Sequence, residues 1–437
     1  MEDEVPKLFL KSFMGAMDPH TDYFDADEDE FIERLEASFA GIGVQIRPCP
    51  LGAQIEDIIK GGPCERSGKF ARGDQIVAVD DFTLVGLPIN KIVKRIKGKI
   101  GTDVKINLLK RESKIIESIL LKRDKIKLAE IRVKGRKFET AAGVVGLVSV
   151  QTFYKDVHSD VSEKIKELGG EKLAGVVLDL RFNYGGYLEE AVSLTGLFIK
   201  SGVVVGERDG SDRIEWKKDT NPDADYLGPL VVLVNQFSAS ASEIVAGTLK
   251  DYGRAVIVGP TQTFGKGTVQ RVFPLSILNL PGEIKITTQQ YFLAGGSSVQ
   301  LEGVKPDIII PGSKLLEDEG MLERTYENAI PFSKIKGELN LDQPEVQSWL
   351  EWKVTNLTTL QDKSKIRVAA NVEFQDNFNP KKKKTEEPAV ARNSDEPPPL
   401  VDIKKDEKDT QADEAAAIAQ NIAATWPQAI MSVTKKN

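Results

Sequence analysis

Three short apolar runs constrain this chain more than any other feature: Gly175-Val176-Val177-Leu178-Asp179-Leu180, Leu230-Val231-Val232-Leu233-Val234 and Ala255-Val256-Ile257-Val258-Gly259. Helical periods follow the first two, and the third follows a helix, as a parallel crossover requires. Buried parallel strands alternating with helices predict an α/β core over about 126 to 312. With 437 residues, 41% hydrophobic and 29% charged, the chain has room for two or three domains of ordinary soluble composition.

Other segments differ in pattern. Residues 1–39 read as a helical lead-in, with Phe9, Phe13, Phe31 and Leu35 spaced for a buried stripe around the turn Met17-Asp18-Pro19-His20-Thr21. Residues 40–125 carry short alternating strands punctuated by glycine, a small strand-rich module. Beyond the core, 313–378 reads as a C-terminal helical region with a helix beginning near Pro344 and Trp349. The stretch 379–411 is Pro, Lys and Glu with scarcely an apolar residue, which predicts a disordered linker. The final segment, 412–437, opens on an Ala-rich helix that can dock by the face holding Ile418 and Ile422.

Several function classes lose support. Net charge is -7, and the basic run Lys381 to Lys384 is followed at once by Glu386 and Glu387, so nucleic acid is not an expected partner. No run of about 18 apolar residues exists to span a bilayer, and Met1-Glu2-Asp3-Glu4 is acidic where an export signal is basic. Cys49 and Cys64 lack metal-like spacing, and neither a metal nor any other cofactor is expected. Chemistry built on imidazole has only His20 and His158 to draw on.

A serine and a lysine fill that gap. The strand Leu230 to Val234 runs into Phe237-Ser238-Ala239-Ser240-Ala241-Ser242-Glu243-Ile244, which puts Ser240 at a strand-to-helix junction. Free amides and the positive end of a helix favour the negative charge of a tetrahedral acyl intermediate there. Ser240 to Glu243 also fits a capping box, in which the serine only satisfies the helix amides. After the next strand comes Thr263-Phe264-Gly265-Lys266-Gly267-Thr268-Val269-Gln270. Val269, Val272 and Phe273 predict a buried strand after Lys266, and desolvation lowers a lysine from about 10.4 toward the range of a base. Gln270, four residues on, is placed to fix the lysine's direction through its amide oxygen; the competing reading is a surface lysine in a glycine turn. A third element, Arg181-Phe182-Asn183-Tyr184-Gly185-Gly186, ends the first apolar run, and its glycines fit either an oxyanion hole or a plain tight turn.

Together these elements resemble the carboxyl-terminal processing proteases, in particular their tail-specific branch. Asp179 to Gly186 matches the family's Asp-Leu-Arg-x-Asn-x-Gly-Gly, Ser238 to Ile244 its Ser-Ala-Ser-Ala-Ser-Glu-Ile, and Thr263 to Gln270 its Thr-Phe-Gly-Lys-Gly-x-x-Gln. The likeness covers about residues 8 to 335, with Asp18-Pro19-His20-Thr21-Asp22-Tyr23 and Gly303-Val304-Lys305-Pro306-Asp307 as further landmarks. It implies Ser240 as nucleophile, Lys266 as general base, Gln270 as its orienting residue, and the amides of Gly186 and Ala241 as oxyanion hole. Glu243, Asp251 and Thr263 match positions that support the site. The implied core is of crotonase type, with a PDZ module at 40–125. In that module Gly41, Ile42, Gly43 and Val44 would receive the C-terminal carboxylate of a protein or peptide, and Val44 to Arg47 would pair with it. Exposed, apolar C-termini are the implied ligands, an activating adaptor is a possible partner, and a periplasmic or envelope location is implied. The loop Gly259 to Thr263 holds one residue more than the family pattern, which leaves open a chain that binds tails without cutting them.

Overall fold

The computed structural model describes residues 4–24, 38–127, 133–278, 280, 282–312, 322–339, 341–378 and 409–427. Phe31, Leu35 and all but the last three residues of the expected linker over 379–411 lie outside the described residues. The chain divides into two compact units, 27–130 and the remainder, 1–26 with 131–437.

In chain order, β1 (Asp22–Phe24) belongs to the larger unit. The smaller unit holds β2 (Ser38–Gly41), β3 (Val44–Cys49), β4 (Gly52–Ile58), β5 (Gln75–Val79), β6 (Phe82–Thr83), β7 (Asp103–Leu109), β8 (Ile116–Lys122) and β9 (Asp124–Lys127). Its main sheet runs β3-β4-β5-β7-β8, with β6 on β5, and β2 pairs with β9. Val104, Ile106 and Leu108 alternate inward along β7 and are fully buried, the period-2 pattern of a sheet with one covered face. Ile92 and Ile96, one turn apart on the helix Ile89–Ile96, join the same core.

The larger unit continues with β10 (Lys134–Thr140), β11 (Gly143–Ser149), β12 (Gly175–Asp179), β13 (Gly202–Asp209), β14 (Ile214–Asp219), β15 (Leu230–Leu233), β16 (Val256–Gly259), β17 (Thr268–Pro274), β18 (Glu283–Leu293) and β19 (Ile308–Ile309). Its central sheet has the order β10-β11-β12-β15-β16-β19, parallel from β11 onward. Strands β12, β15 and β16 are buried throughout, which is why they read as unbroken apolar runs. The helices Val157–Leu168 and Ala241–Asp251 lie in the crossovers from β11 to β12 and from β15 to β16. A second, antiparallel sheet has the order β1-β18-β13-β14, with β17 on β18.

Two expectations about burial fail. Phe9 and Phe13, on the helix Glu4–Gly15, are 66% and 52% exposed and stack on each other rather than on a core. Strand β17 is only half buried, with Phe273 42% exposed, because among the described residues it pairs on one side alone, with β18. Periodicity identifies a common face and says nothing of what covers it.

The C-terminal helix runs Thr410–Ala423, two residues earlier than expected, and Asp409 caps it by accepting from Ala412 N at 3.1 Å. Ile418 and Ile422 are fully buried, and Gly175 of β12 is so close that an added Cβ would lie 3.1 Å from Ala419 Cβ.

Candidate active site

Adjacent parallel strands β12 and β15 deliver two turns to one place, the carboxyl ends of the central sheet. Polar groups lace these turns together. Ser238 Oγ donates to Leu180 O at 2.8 Å, Ala239 N and Ser242 Oγ donate to Asn183 O at 2.9 and 2.8 Å, and Asn235 Oδ1 accepts from Phe182 N at 3.0 Å. Gly185, at φ +101°, lies so near that a Cβ would stand 2.9 Å from Ser240 Cβ and 3.1 Å from Ala241 N. Gly185 is therefore required by close approach to the serine, not merely by a turn. Gly186, at φ +145°, is pressed on Phe153 O, where a Cβ would fall at 2.3 Å.

Ser240 itself sits at φ 55°, ψ -113°, a backbone region that a side chain disfavours and that functional sites retain. It precedes the helix Ala241–Asp251. The carboxylate half of the expected capping box is formed, with Ser240 N donating to Glu243 Oε2 at 2.9 Å. The amide of Glu243 donates to the main-chain carbonyl of Ser240 at 2.8 Å. The amides of Gly186 and Ala241 donate to no acceptor among the described residues.

Glu243 ties the lysine loop to the serine. Fully buried, it also accepts from Thr263 Oγ1 at 2.5 Å, Gly265 N at 2.7 Å and Lys266 N at 2.9 Å. Burial pushes its carboxyl up to about 8 against the pull of those donors. The additional loop residue does not prevent this docking, because the exposed Thr261 lies outside the bonded stretch. Thr263 is held from the other side by Val304 N, 2.7 Å from its hydroxyl.

Lys266 is half-buried and precedes β17, while Gln270 faces Thr287 across the β17–β18 pair. The Gln270 Nε2 group donates to Thr268 Oγ1 at 2.9 Å and Thr287 Oγ1 at 3.1 Å. Asp251 is not brought to this place. It ends the helix that Ser240 begins, about 15 Å along the axis at 1.5 Å per residue, and accepts from Gly295 N at 2.8 Å. There it fastens a loop beyond β18.

Tyr291 has no signature in the sequence. From β18 its buried hydroxyl donates to Lys266 O at 2.6 Å and lies 3.2 Å from Ser240 O, so that one side chain spans both segments. Burial holds its phenol well above the ordinary range.

In the smaller unit, Gly41 closes β2 and Gly43, at φ +79°, stands close enough to Gly62 that a Cβ would lie 3.0 Å from its Cα. Ile42 O and Gly43 O are taken by Cys64 N and Ile59 N, whereas the amides of Ile42 and Gly43 have no acceptor among the described residues. Ile42, Val44, Ile46, Val93, Ile96 and Lys97 line a groove between β3 and the helix Ile89–Ile96. Among the described residues, strand β3 is paired only on its β4 side.

Comparison with known proteins gives consistent matches. Residues 144–310 match the family described as peptidase family S41. The tail-specific protease of Haemophilus influenzae is 33% identical over 384 residues, covering 85% of this chain and 54% of that protein. The carboxy-terminal-processing protease of Bartonella bacilliformis is 32% identical over 313 residues, covering 69% of this chain and 68% of that protein. The chain thus spans about half the length of the Haemophilus relative. Among solved structures, the photosystem II D1 C-terminal processing protease is 26% identical at a TM-score of 0.44, covering 75% of this chain and 88% of that one. The PDZ domain of a carboxy-terminal protease from Vibrio cholerae, solved with a peptide, is 29% identical at a TM-score of 0.20, covering 21% of this chain and 99% of that one.

Proposed function

This chain belongs to peptidase family S41, and from that membership we propose that it is a serine endopeptidase that recognises the C-terminal tails of proteins and cleaves them with a Ser240/Lys266 dyad. One observation carries the reading. A single buried carboxylate, Glu243, binds the main-chain amides of both Ser240 and Lys266, so the candidate nucleophile and base are fixed to one point.

In the proposed reaction the neutral amine of Lys266 takes the Ser240 hydroxyl proton as Oγ attacks the scissile carbonyl carbon. The negative charge that moves onto the carbonyl oxygen meets the amides of Gly186 and Ala241. Lys266 then passes its proton to the departing amine, the peptide C–N bond breaks, and an ester to Ser240 remains. Water, deprotonated by the same amine, hydrolyses that ester and restores the hydroxyl. Gln270 orients the lysine, while Glu243 and Thr263 support the loop.

Tail recognition is assigned to the smaller unit, read as a PDZ module, just as the larger unit's core is read as crotonase-like. The edge of β3, unpaired among the described residues, and the amides of Ile42 and Gly43 support strand addition with the terminal carboxylate at Gly41 to Val44. The apolar lining of the groove favours apolar terminal residues. A periplasmic or envelope location and an activating adaptor belong to the same proposal; no described helix is long and apolar enough to cross a membrane.

The test is cleavage of a tail-bearing substrate. Ser240→Ala and Lys266→Ala should each reduce turnover by at least about 1,000-fold while tail affinity stays within about twofold. Retained turnover in either variant refutes the dyad, and binding without cleavage by the wild type favours a tail-holding adaptor.

A further inference from the structure

We infer that the turn Asp18–Thr21 is a positioning element for the base-bearing segment from Lys266 to Gln270, acting on Gln270 through Thr287 and on Gly267 through Glu323 and Gln300. The inference rests on the dyad reading above, since it concerns how the base is held.

The first relay has a direction set by chemistry. Asp18 is buried, and its Oδ1 already accepts from His20 N at 2.9 Å and Thr21 N at 3.1 Å, while its Oδ2 takes the Thr21 hydroxyl at 2.5 Å. A carboxylate only accepts, so the Thr287 hydroxyl, 2.8 Å from Oδ1, spends its proton on Asp18. The Thr287 oxygen must then accept from its other neighbour, the Gln270 amide at 3.1 Å. That forces Gln270 to present nitrogen to Thr287 and Thr268 and leaves its oxygen as the acceptor for an amine. Asp18 thereby determines which way round the Gln270 amide sits.

Topology explains why the turn is there. Strand β1 pairs with β18 over Glu283 to Lys285 and β13 pairs with it over Gln289 to Leu293, so Thr287 falls in the gap between them. Its amide is satisfied there by Thr21 Oγ1 at 3.1 Å. The turn that begins β1 thus fills a missing rung of the sheet and reaches through Thr287 to the strand beyond.

The second relay leaves the same turn. His20 Nε2 lies 2.7 Å from Glu323 Oε2, Gln300 Nε2 donates to Glu323 Oε1 at 2.8 Å, and Gly267 N donates to Gln300 Oε1 at 2.7 Å. Glu323 and Gln300 are fully buried, and Glu323 N donates to Phe264 O at 3.2 Å. Again the carboxylate sets the sense: it requires Gln300 to face it with nitrogen and so to offer oxygen to the amide beside Lys266. Two points just after the lysine, Gly267 and Gln270, are thus held from one turn about 250 residues earlier in sequence.

A double-mutant cycle on the full chain tests this. Thr287→Val should lower kcat about tenfold with KM within about twofold, and Thr287→Ser should restore it. In a Gln270→Ala background, Thr287→Val should add less than about twofold, because the relay then has nothing to position. An unchanged kcat, or a full tenfold loss repeated in that background, overturns the relay. If Thr287→Val does not fold, as read by its thermal midpoint, Asp18→Asn replaces it in the same cycle with the same two outcomes. Turnover surviving Ser240→Ala defeats the dyad reading, whereas turnover abolished by Ser240→Ala together with an additive cycle defeats the relay alone.

Discussion

Glu243 is the residue on which the site converges. Its four donors come from both halves of the proposed dyad, from Thr263 and from Gly265, and its burial is complete. A carboxyl held near 8 in the folded chain, against an ordinary 4.5, binds its proton more tightly when folded. Stability from that proton is present below about 4.5 and is lost as pH rises toward about 8. Denaturant unfolding between pH 5 and 8 should therefore show wild-type stability falling with a slope of up to about 1.4 kcal/mol per pH unit. Glu243→Gln should flatten that slope, and equal slopes in the two proteins would contradict the assignment.

At the scale of elements, the helix Thr410–Ala423 is part of the core of the larger unit and not an appendage. It buries Ala412, Ala415, Ile418, Ala419 and Ile422, and its cap Asp409 accepts from Arg181 at 2.6 Å. Arg181 also binds Asp179, so the C-terminal helix is joined to the strand end from which the glycine turn departs. Just beyond the helix, Trp426 lies over Arg254, whose guanidinium is pushed down to about 9 by burial. Arg254 is held by the carbonyls of Phe198, Tyr226 and Gly228 and by Trp349 on its other ring contact, at 5.3 Å. Ending the chain at residue 408 removes this whole arrangement. Thermal unfolding should then begin at least about 5 °C lower, with cleavage reduced in parallel; an unaltered midpoint and activity would show the helix to be dispensable.

Over the whole molecule, legibility followed how local each cause is. Strands β12, β15 and β16 announce themselves because burial on both faces demands unbroken apolar runs, and Ser240, Lys266 and Gln270 stand in short contiguous patterns beside them. Tyr291, Thr287, Gln300 and Glu323 leave no such trace, since each acts through partners distant in sequence and is typical of its own strand or loop. Asp251 is the opposite case: a motif position says nothing of helix length, and eleven residues carry it away from Ser240. Phe9 and Phe13 show the limit of periodicity, which reports a stripe without its cover.

In the proposed dyad, Ser240 is a nucleophile whose proton leaves to Lys266. Mass spectrometry of the intact chain after reaction with an activity-based serine probe addresses it most directly. One adduct is expected, mapped to Ser240 and lost in Lys266→Ala. Labelling at another serine, or labelling of Ser240 at the wild-type rate in Lys266→Ala, would contradict it.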